Sequence, residues 1–254
     1  MGATIYLLAH TDVAKILHNF VSVDKPISRP NALASCLNWL EGLVEEQLIL
    51  PAYNYDFPQT RSYSQTDSSV HVGAIPEYAR KLPGWHRTKA PVFSHTSRSD
   101  LNYAGEEAFG VGSIFEQLDL RRGKIALVGT SVRSMTYLHY IESLASSPYR
   151  YTKKFSGKVS TQHGWESIQT SWHVRPKGLD LDYDFPKIQD ALVESGALDQ
   201  PHPQILIGDA NAIRRSLIRV LADDPLWLLN RDSRIRVSEK LSKLGRPFLL
   251  EDFE

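Results

Sequence analysis

The chain has 254 residues, with 29 basic and 29 acidic side chains, a formal net charge of zero and a sequence pI of about 7.1. That balance leaves no basic excess to follow a nucleic-acid backbone and no polybasic run to hold an anionic membrane. The lone Cys36 excludes an internal disulfide and a cysteine zinc cluster, and no run approaches the roughly 20 apolar residues of a membrane span.

The start, MGATIYLLAHTD, lacks the basic opening and cleavage site of a secretory signal. Tyr6 stands where a myristoylation signal needs Ser or Thr, so a cytoplasmic protein is expected. Residues 3–10 read as a first strand, and HTDVAKIL turns at once toward a helix. Residues 31–47 carry apolar side chains at helical spacing behind Asn31, a candidate N-cap. LILPAYNY (48–55) reads as a second strand ended by Pro58, and the polar, serine-rich residues 56–72 as an exposed loop. VGAIPEYARKLPG reads as a short helix stopped by Pro83-Gly84.

APVFSHTS (90–97) is a third strand, SIFEQLDL a short helix, and KIALVG (124–129) a buried strand ending in glycine. Residues 149–175 read as strands with long turns. FPKIQDALVESG (185–196) is an amphipathic helix with Gly196 as its stop. QILIGDA is a strand or a loop, and ANAIRRSLIRVLADDPLWLL a helix broken near Pro225. The last twenty residues are charged and read as peripheral. No repeat and no sharp change of composition divides the chain, so one domain over residues 1–254 is expected.

The most informative stretch follows KIALVG. There His139 and Glu142 stand three residues apart at helical spacing, which sets an imidazole beside a carboxylate just beyond a strand end. Such a carboxylate fixes the imidazole tautomer and steadies its protonated form, as a general base requires. The plain alternative is a histidine that merely packs under a helix.

Three blocks around this pair occur in an order that resembles the aminoglycoside 3-N-acetyltransferase family. VGAIPEYARKLPGWHRTKAPVFSHTS is similar to that family's run of glycine, glutamate, arginine, proline-glycine and a serine-histidine element. FGVGSIFEQLDLRRGKIALVG is similar to its Gly-Ser step, short helix and following strand, and SMTYLHYIE to its Thr-x-Leu-His-x-x-Glu element. AHTD (9–12) resembles the family's first-strand exit. The blocks span most of residues 3–230.

The resemblance implies an α/β fold, a three-layer α/β/α sandwich. It also implies transfer of an acetyl or similar acyl group from coenzyme A to an amine. His139 then matches the general base and Glu142 the residue that orients it, with backbone N–H groups as the expected oxyanion donors. Helix starts bind phosphates, so Gly73 with Ala74 and Gly112 with Ser113 are candidate contacts for the coenzyme, and His10 with Thr11, at the end of the first strand, a third; ordinary caps and turns are the alternative. Glu77 matches a family glutamate that could hold the substrate amine or a hydroxyl, and His95 a residue lining the pocket. LDLDYDF (179–185) reads as a strand edge with an acidic face of Asp180, Asp182 and Asp184, in which Asp182 has a minor substrate role; no metal is expected.

Arg133 departs from the family, which more often carries a short acidic or amide residue there. Arginine suits a carboxylate or phosphate through its two-pronged donor face. An amino sugar linked to a nucleotide diphosphate, decorated for a surface polysaccharide, is therefore the expected acceptor. An aminoglycoside, with antibiotic resistance as the outcome, is the alternative. A different acyl group on the same scaffold and a non-catalytic binding module stay open, as does a homodimer. The chain also begins close to its first strand, without the leading helix usual in the family. No plausible nucleophile for a covalent intermediate is visible: Cys36 lies in an amphipathic helix, and no G-x-S-x-G elbow occurs.

Overall fold

The apolar runs of the sequence become strands buried on both faces. The computed structural model describes residues 6–21, 27–43, 47–101, 103 and 106–254; the expected start of the first strand at residues 3–5 lies outside them, as do residues 44–46 of the expected second helical stretch. In chain order the elements are β1 (Tyr6–Thr11), α1 (Val13–Phe20), α2 (Arg29–Gly42), β2 (Gln47–Pro51), α3 (Phe57–Thr60), β3 (Ser62–Ser64), α4 (Ala74–Ala79), β4 (His86–Arg87), β5 (His95–Ser97), α5 (Ile114–Leu120) and β6 (Lys124–Val128). After a 3-10 turn at Val132–Ser134 come α6 (Tyr137–Leu144), β7 (Tyr151–Thr161), β8 (Gly164–Val174), α7 (Phe185–Glu194), β9 (Asp199–His202), β10 (Ile205–Asp209), α8 (Ala210–Asp223) and α9 (Arg231–Leu244).

The main sheet has the order β4-β5-β2-β1-β6-β10-β9. Its centre is parallel, with β1 between β2 and β6, and both flanks are antiparallel. Side chains alternate between two cores, as a pleated strand requires. Leu7, Ala9, Leu48, Leu50, Ala126 and Val128 face Ile16 of α1, Leu33, Cys36 and Leu37 of α2 and Ile75 of α4. Tyr6, Leu8, Ile49, Ile125 and Leu127 face α5, α6 and α8 through Phe115, Leu118, Ile141 and Ile213. The three-layer α/β/α sandwich is therefore present, and burial on both faces is why its strands read as near-continuous apolar runs.

Turn chemistry sets the exits of the central strands. Asp12 caps α1 by accepting from the Ala14 and Lys15 N–H groups. Gly129 ends β6 at φ 71°, and a Cβ there would lie 2.8 Å from Lys15 Cβ, so only glycine lets the chain pass α1.

Several expectations are corrected. α2 is capped by Ser28, whose hydroxyl accepts from the Asn31 N–H, because Pro30 suits the first turn and lets the helix start earlier. Pro58 does not close a strand; it opens α3. Residues 56–72 are no plain exposed loop: Phe57 and Tyr63 are fully buried, and β3 pairs in parallel with β7. The third strand shrinks to His95–Ser97. β7 and β8 form one long hairpin around Gln162-His163, not strands with long turns, and Phe155 stacks on Trp172 at 4.0 Å across them. The acidic run is no strand edge: only Tyr183 bridges, to Leu229, and Asp184 caps α7. The last residues are not peripheral, since Val237 and Phe248 are buried and Lys153 pairs with Glu254. Gly196 does end α7, at φ 67°. No helix among the described residues is long and apolar enough to cross a membrane.

Candidate active site

β6 delivers the chain through Gly129 and the 3-10 turn to α6, which buries Tyr137, Leu138, Tyr140, Ile141 and Glu142. His139 is left at the rim, with 27% of its side chain exposed, while Glu142 one turn on is fully buried. His139 Nδ1 lies 2.8 Å from Glu142 Oε2. Arg150 pairs with the same oxygen at 2.8 Å. The hydroxyls of Tyr149 and Tyr183 each donate to Glu142 Oε1 at 2.8 Å. Arg150 also donates to the Tyr183 hydroxyl. Each carboxylate oxygen thus has two partners, which offsets the cost of a buried charge.

The charges define protonation states. Burial alone would raise the Glu142 carboxyl, but Arg150, His139 and Tyr183 outweigh it and hold it well below the usual carboxylate range. Burial and the Arg150 charge push His139 below its ordinary value, against the opposing pull of Glu142. The imidazole is therefore neutral near pH 7. An ionised Glu142 only accepts, so the tautomer assigned to His139 carries its proton on Nδ1 and leaves a lone pair on Nε2. Phe109 packs its ring 5.3 Å from the imidazole and Tyr183 packs at 6.2 Å, which limits ring rotation.

The other expected residues divide. His10 and His95 are buried in the sheet, away from any carboxylate partner; the Tyr53 hydroxyl reaches His95 Nε2 at 3.3 Å. Burial lowers His10 to about 4, and burial with the neighbouring His10 lowers His95 to about 3. Thr11 ends β1, beside a helix start that the Asp12 carboxylate already fills. Ser113 caps α5, and Glu116 reaches back to the Gly112 N–H. Only α4, opening at Gly73 with Ala74, lacks a side-chain cap among these three starts.

Glu77 accepts from the Val70 N–H and pairs with Arg80 and Lys81; burial would raise it, but these partners hold it at about 2. It braces the loop before α4. Arg133 and Asp182 line one cleft, together with Arg175 and Phe185. Arg150, Tyr149, Tyr183 and Phe109 were not found from sequence. A buried carboxylate demands a cation, so the Tyr149-Arg150 pair just past α6 was a findable signal; Tyr183 lies 44 residues from His139 and left none.

The family match assigns this fold to the N-acetyltransferases. Residues 47–217, more than half of the chain, match the family described as aminoglycoside 3-N-acetyltransferase, and the chain belongs to that family. No curated protein sequence matches it. Among solved structures, aminoglycoside acetyltransferase AAC(3)-IIb superposes with a TM-score of 0.68 at 17% identity, over 87% of this chain and 91% of the other. AAC-IIIb in a binary complex with CoASH gives 0.66 at 17%, over 87% and 92%. Sisomicin-bound AAC-VIa gives 0.65 at 18%, over 86% and 91%. At these identities the likeness is one of fold.

Proposed function

We propose that residues 1–254 act as one domain that moves an acetyl or similar acyl group from coenzyme A to an amine of an amino sugar, in one direct transfer with His139 as general base. The observation that carries this reading is the 2.8 Å pair of His139 Nδ1 and the buried Glu142. It anchors one ring nitrogen and leaves Nε2 as the basic atom, at the partly exposed rim of α6.

Coenzyme A, when bound, supplies an electrophilic thioester carbonyl. The start of α4 is the candidate for its phosphates, since the Gly73 and Ala74 backbone has no side-chain cap and the Glu77 carboxylate of its first turn is paired with Arg80 and Lys81. α1 suits them poorly, because Asp12 puts a carboxylate where the anion would sit. His139 Nε2 takes the proton from the attacking nitrogen as the C–N bond forms and the C–S bond breaks, and the same proton then passes to the leaving thiolate. Glu142 stabilises the imidazolium between those two events. Direct transfer is favoured because Cys36, the sole thiol, is buried against the opposite face of the sheet from α6.

Two acceptors compete. One solved relative carries sisomicin, which favours an aminoglycoside. Arg133, exposed at the cleft, favours a nucleotide-linked amino sugar of the kind used in surface polysaccharides. Thiol release from acetyl-coenzyme A, measured across a panel of aminoglycosides and free and nucleotide-linked amino sugars, separates them. Comparable rates on both classes defeat the nucleotide-linked reading. Turnover unchanged in His139→Ala defeats the base.

A further inference from the structure

The cleft that holds Arg133 and Asp182 has a volume of about 460 Å³. Three arginines reach it from three separate places: Arg133 from the turn before α6, Arg175 from just past β8, and Arg236 from α9. Their roles differ. Arg236 is already engaged, donating to the Asp180 carbonyl at 3.0 and 3.2 Å and to Ser233 at 3.4 Å. Arg133 and Arg175 have no ion pair among the described residues, although Asp180, Asp182 and Asp232 line the same cleft. The Arg133 guanidinium sits over the Phe185 ring at 5.5 Å. Stacking of this kind holds the planar group in place and leaves its donor edge free.

Two packed rings separate the cleft from the base. Phe185 packs on Tyr183 at 5.4 Å, and the Tyr183 hydroxyl is 3.4 Å from His139 Nδ1. An acceptor whose far end meets the arginines therefore has to reach past Tyr183 and Phe185 to present an amine to Nε2. Two unpaired guanidiniums converging on one cavity match a phosphate or carboxylate, and Asp182 beside them suits sugar hydroxyls or a second cation.

We propose that this cleft is the anion subsite of the acceptor, in which Arg133 and Arg175 together hold a phosphate or carboxylate carried by the amine substrate. The proposal rests on the acyl-transfer reading for the identity of the ligand, but not for its binding. It makes the natural acceptor an anionic amino sugar and not a pure polycation.

The test uses the full chain, with Arg133→Gln and Arg175→Gln singly and together. Inorganic pyrophosphate and acetyl-coenzyme A are titrated by calorimetry, and KM is measured for glucosamine 6-phosphate and for glucosamine. The expected result is a loss of pyrophosphate affinity of at least about ten-fold in the double variant, an equal rise of KM for the phosphorylated amine, and no change for glucosamine or for acetyl-coenzyme A. A parallel fall in acetyl-coenzyme A affinity would overturn the proposal and assign the arginines to the coenzyme. Unchanged pyrophosphate binding would overturn it outright. His139→Ala keeps the two readings apart: it is expected to cut turnover on the order of 10³-fold and to leave pyrophosphate binding intact, so a failure of catalysis and a failure of the subsite give different results.

Discussion

Two histidine pockets lie on the same face of the main sheet, and they have opposite chemistry. His10 continues the alternation of Tyr6 and Leu8 toward the α5–α6 layer, and His95 packs 5.5 Å from Phe115 in that layer. Both rings are nearly or fully sealed, and each keeps one ring nitrogen, His10 Nε2 and His95 Nδ1, without a hydrogen-bond partner. Burial takes their charge away and leaves them neutral at every pH where the protein is expected to work. His139 is also crowded, but Glu142 counters the crowding, and part of the ring stays open. Burial by itself removes a histidine from acid–base work. Burial opposed by a carboxylate, with access kept, makes a base.

The hardest blow to this contrast is His139→Ala. Turnover is expected to fall on the order of 10³-fold with acetyl-coenzyme A affinity unchanged, whereas His95→Asn is expected to stay within about three-fold of the parent. Equal losses in steady-state assays of the two variants would erase the distinction.

Next in size is Glu142→Gln, which leaves Arg150 buried without its counter-charge. Unfolding in urea at pH 7 is expected to show a loss of about 3–5 kcal/mol. A loss under about 1 kcal/mol would mean that the buried network does not hold the site together.

Acid titration sharpens the comparison in a different way. His10 and His95 have depressed values in the fold, so below the ordinary 6.5 the unfolded chain binds more protons than the native one. Stability is therefore expected to decline as pH falls from 6.5 toward about 4, by up to about 1.4 kcal/mol per pH unit for each ring. His10→Asn should remove one share of that slope. Glu142 is shifted in the same direction, as expected for a paired acid, but acts at lower pH: its contribution is complete above the usual carboxylate range and is lost only as pH drops through its lowered value. For activity, kcat/KM is expected to fall on the acid side with an apparent pKa below 6.5, because His139 must be neutral to accept a proton. An acid limb centred above 7 would contradict the assigned role of Arg150.

Smaller effects probe the supports. Tyr183→Phe removes a hydroxyl bonded to Glu142 and is expected to cost about 1 kcal/mol in thermal or urea unfolding. Glu77→Gln is expected to cost about 1 kcal/mol, since it leaves the buried Arg80 side chain without its counter-charge while Lys81 stays in water, and to leave turnover unchanged. A large rise in acceptor KM for Glu77→Gln would return this residue to the substrate site.

Much of the architecture was readable from particular residues. KIALVG announced a strand buried on both faces, Gly129 a sharp exit, and the three-residue step from His139 to Glu142 a paired site on one helix face. Where the reading failed, a local signal competed with a distant partner. Residues 56–72 look solvent-loving, yet β7 supplies the ladder that draws Tyr63 inward. Glu77 resembles a free binding group until Arg80 and Lys81 fold against it.

The sequence by itself determined the α/β character and the pairing of His139 with Glu142, because each depends on spacing within one short segment. Tertiary structure decided which histidines are sealed and which is open, that Arg150 and Tyr183 close around Glu142, and that Arg133 and Arg175 share a cleft. Those outcomes depend on side chains brought together from far apart in the chain. Burial and Coulomb forces act through space, and local periodicity carries no record of them.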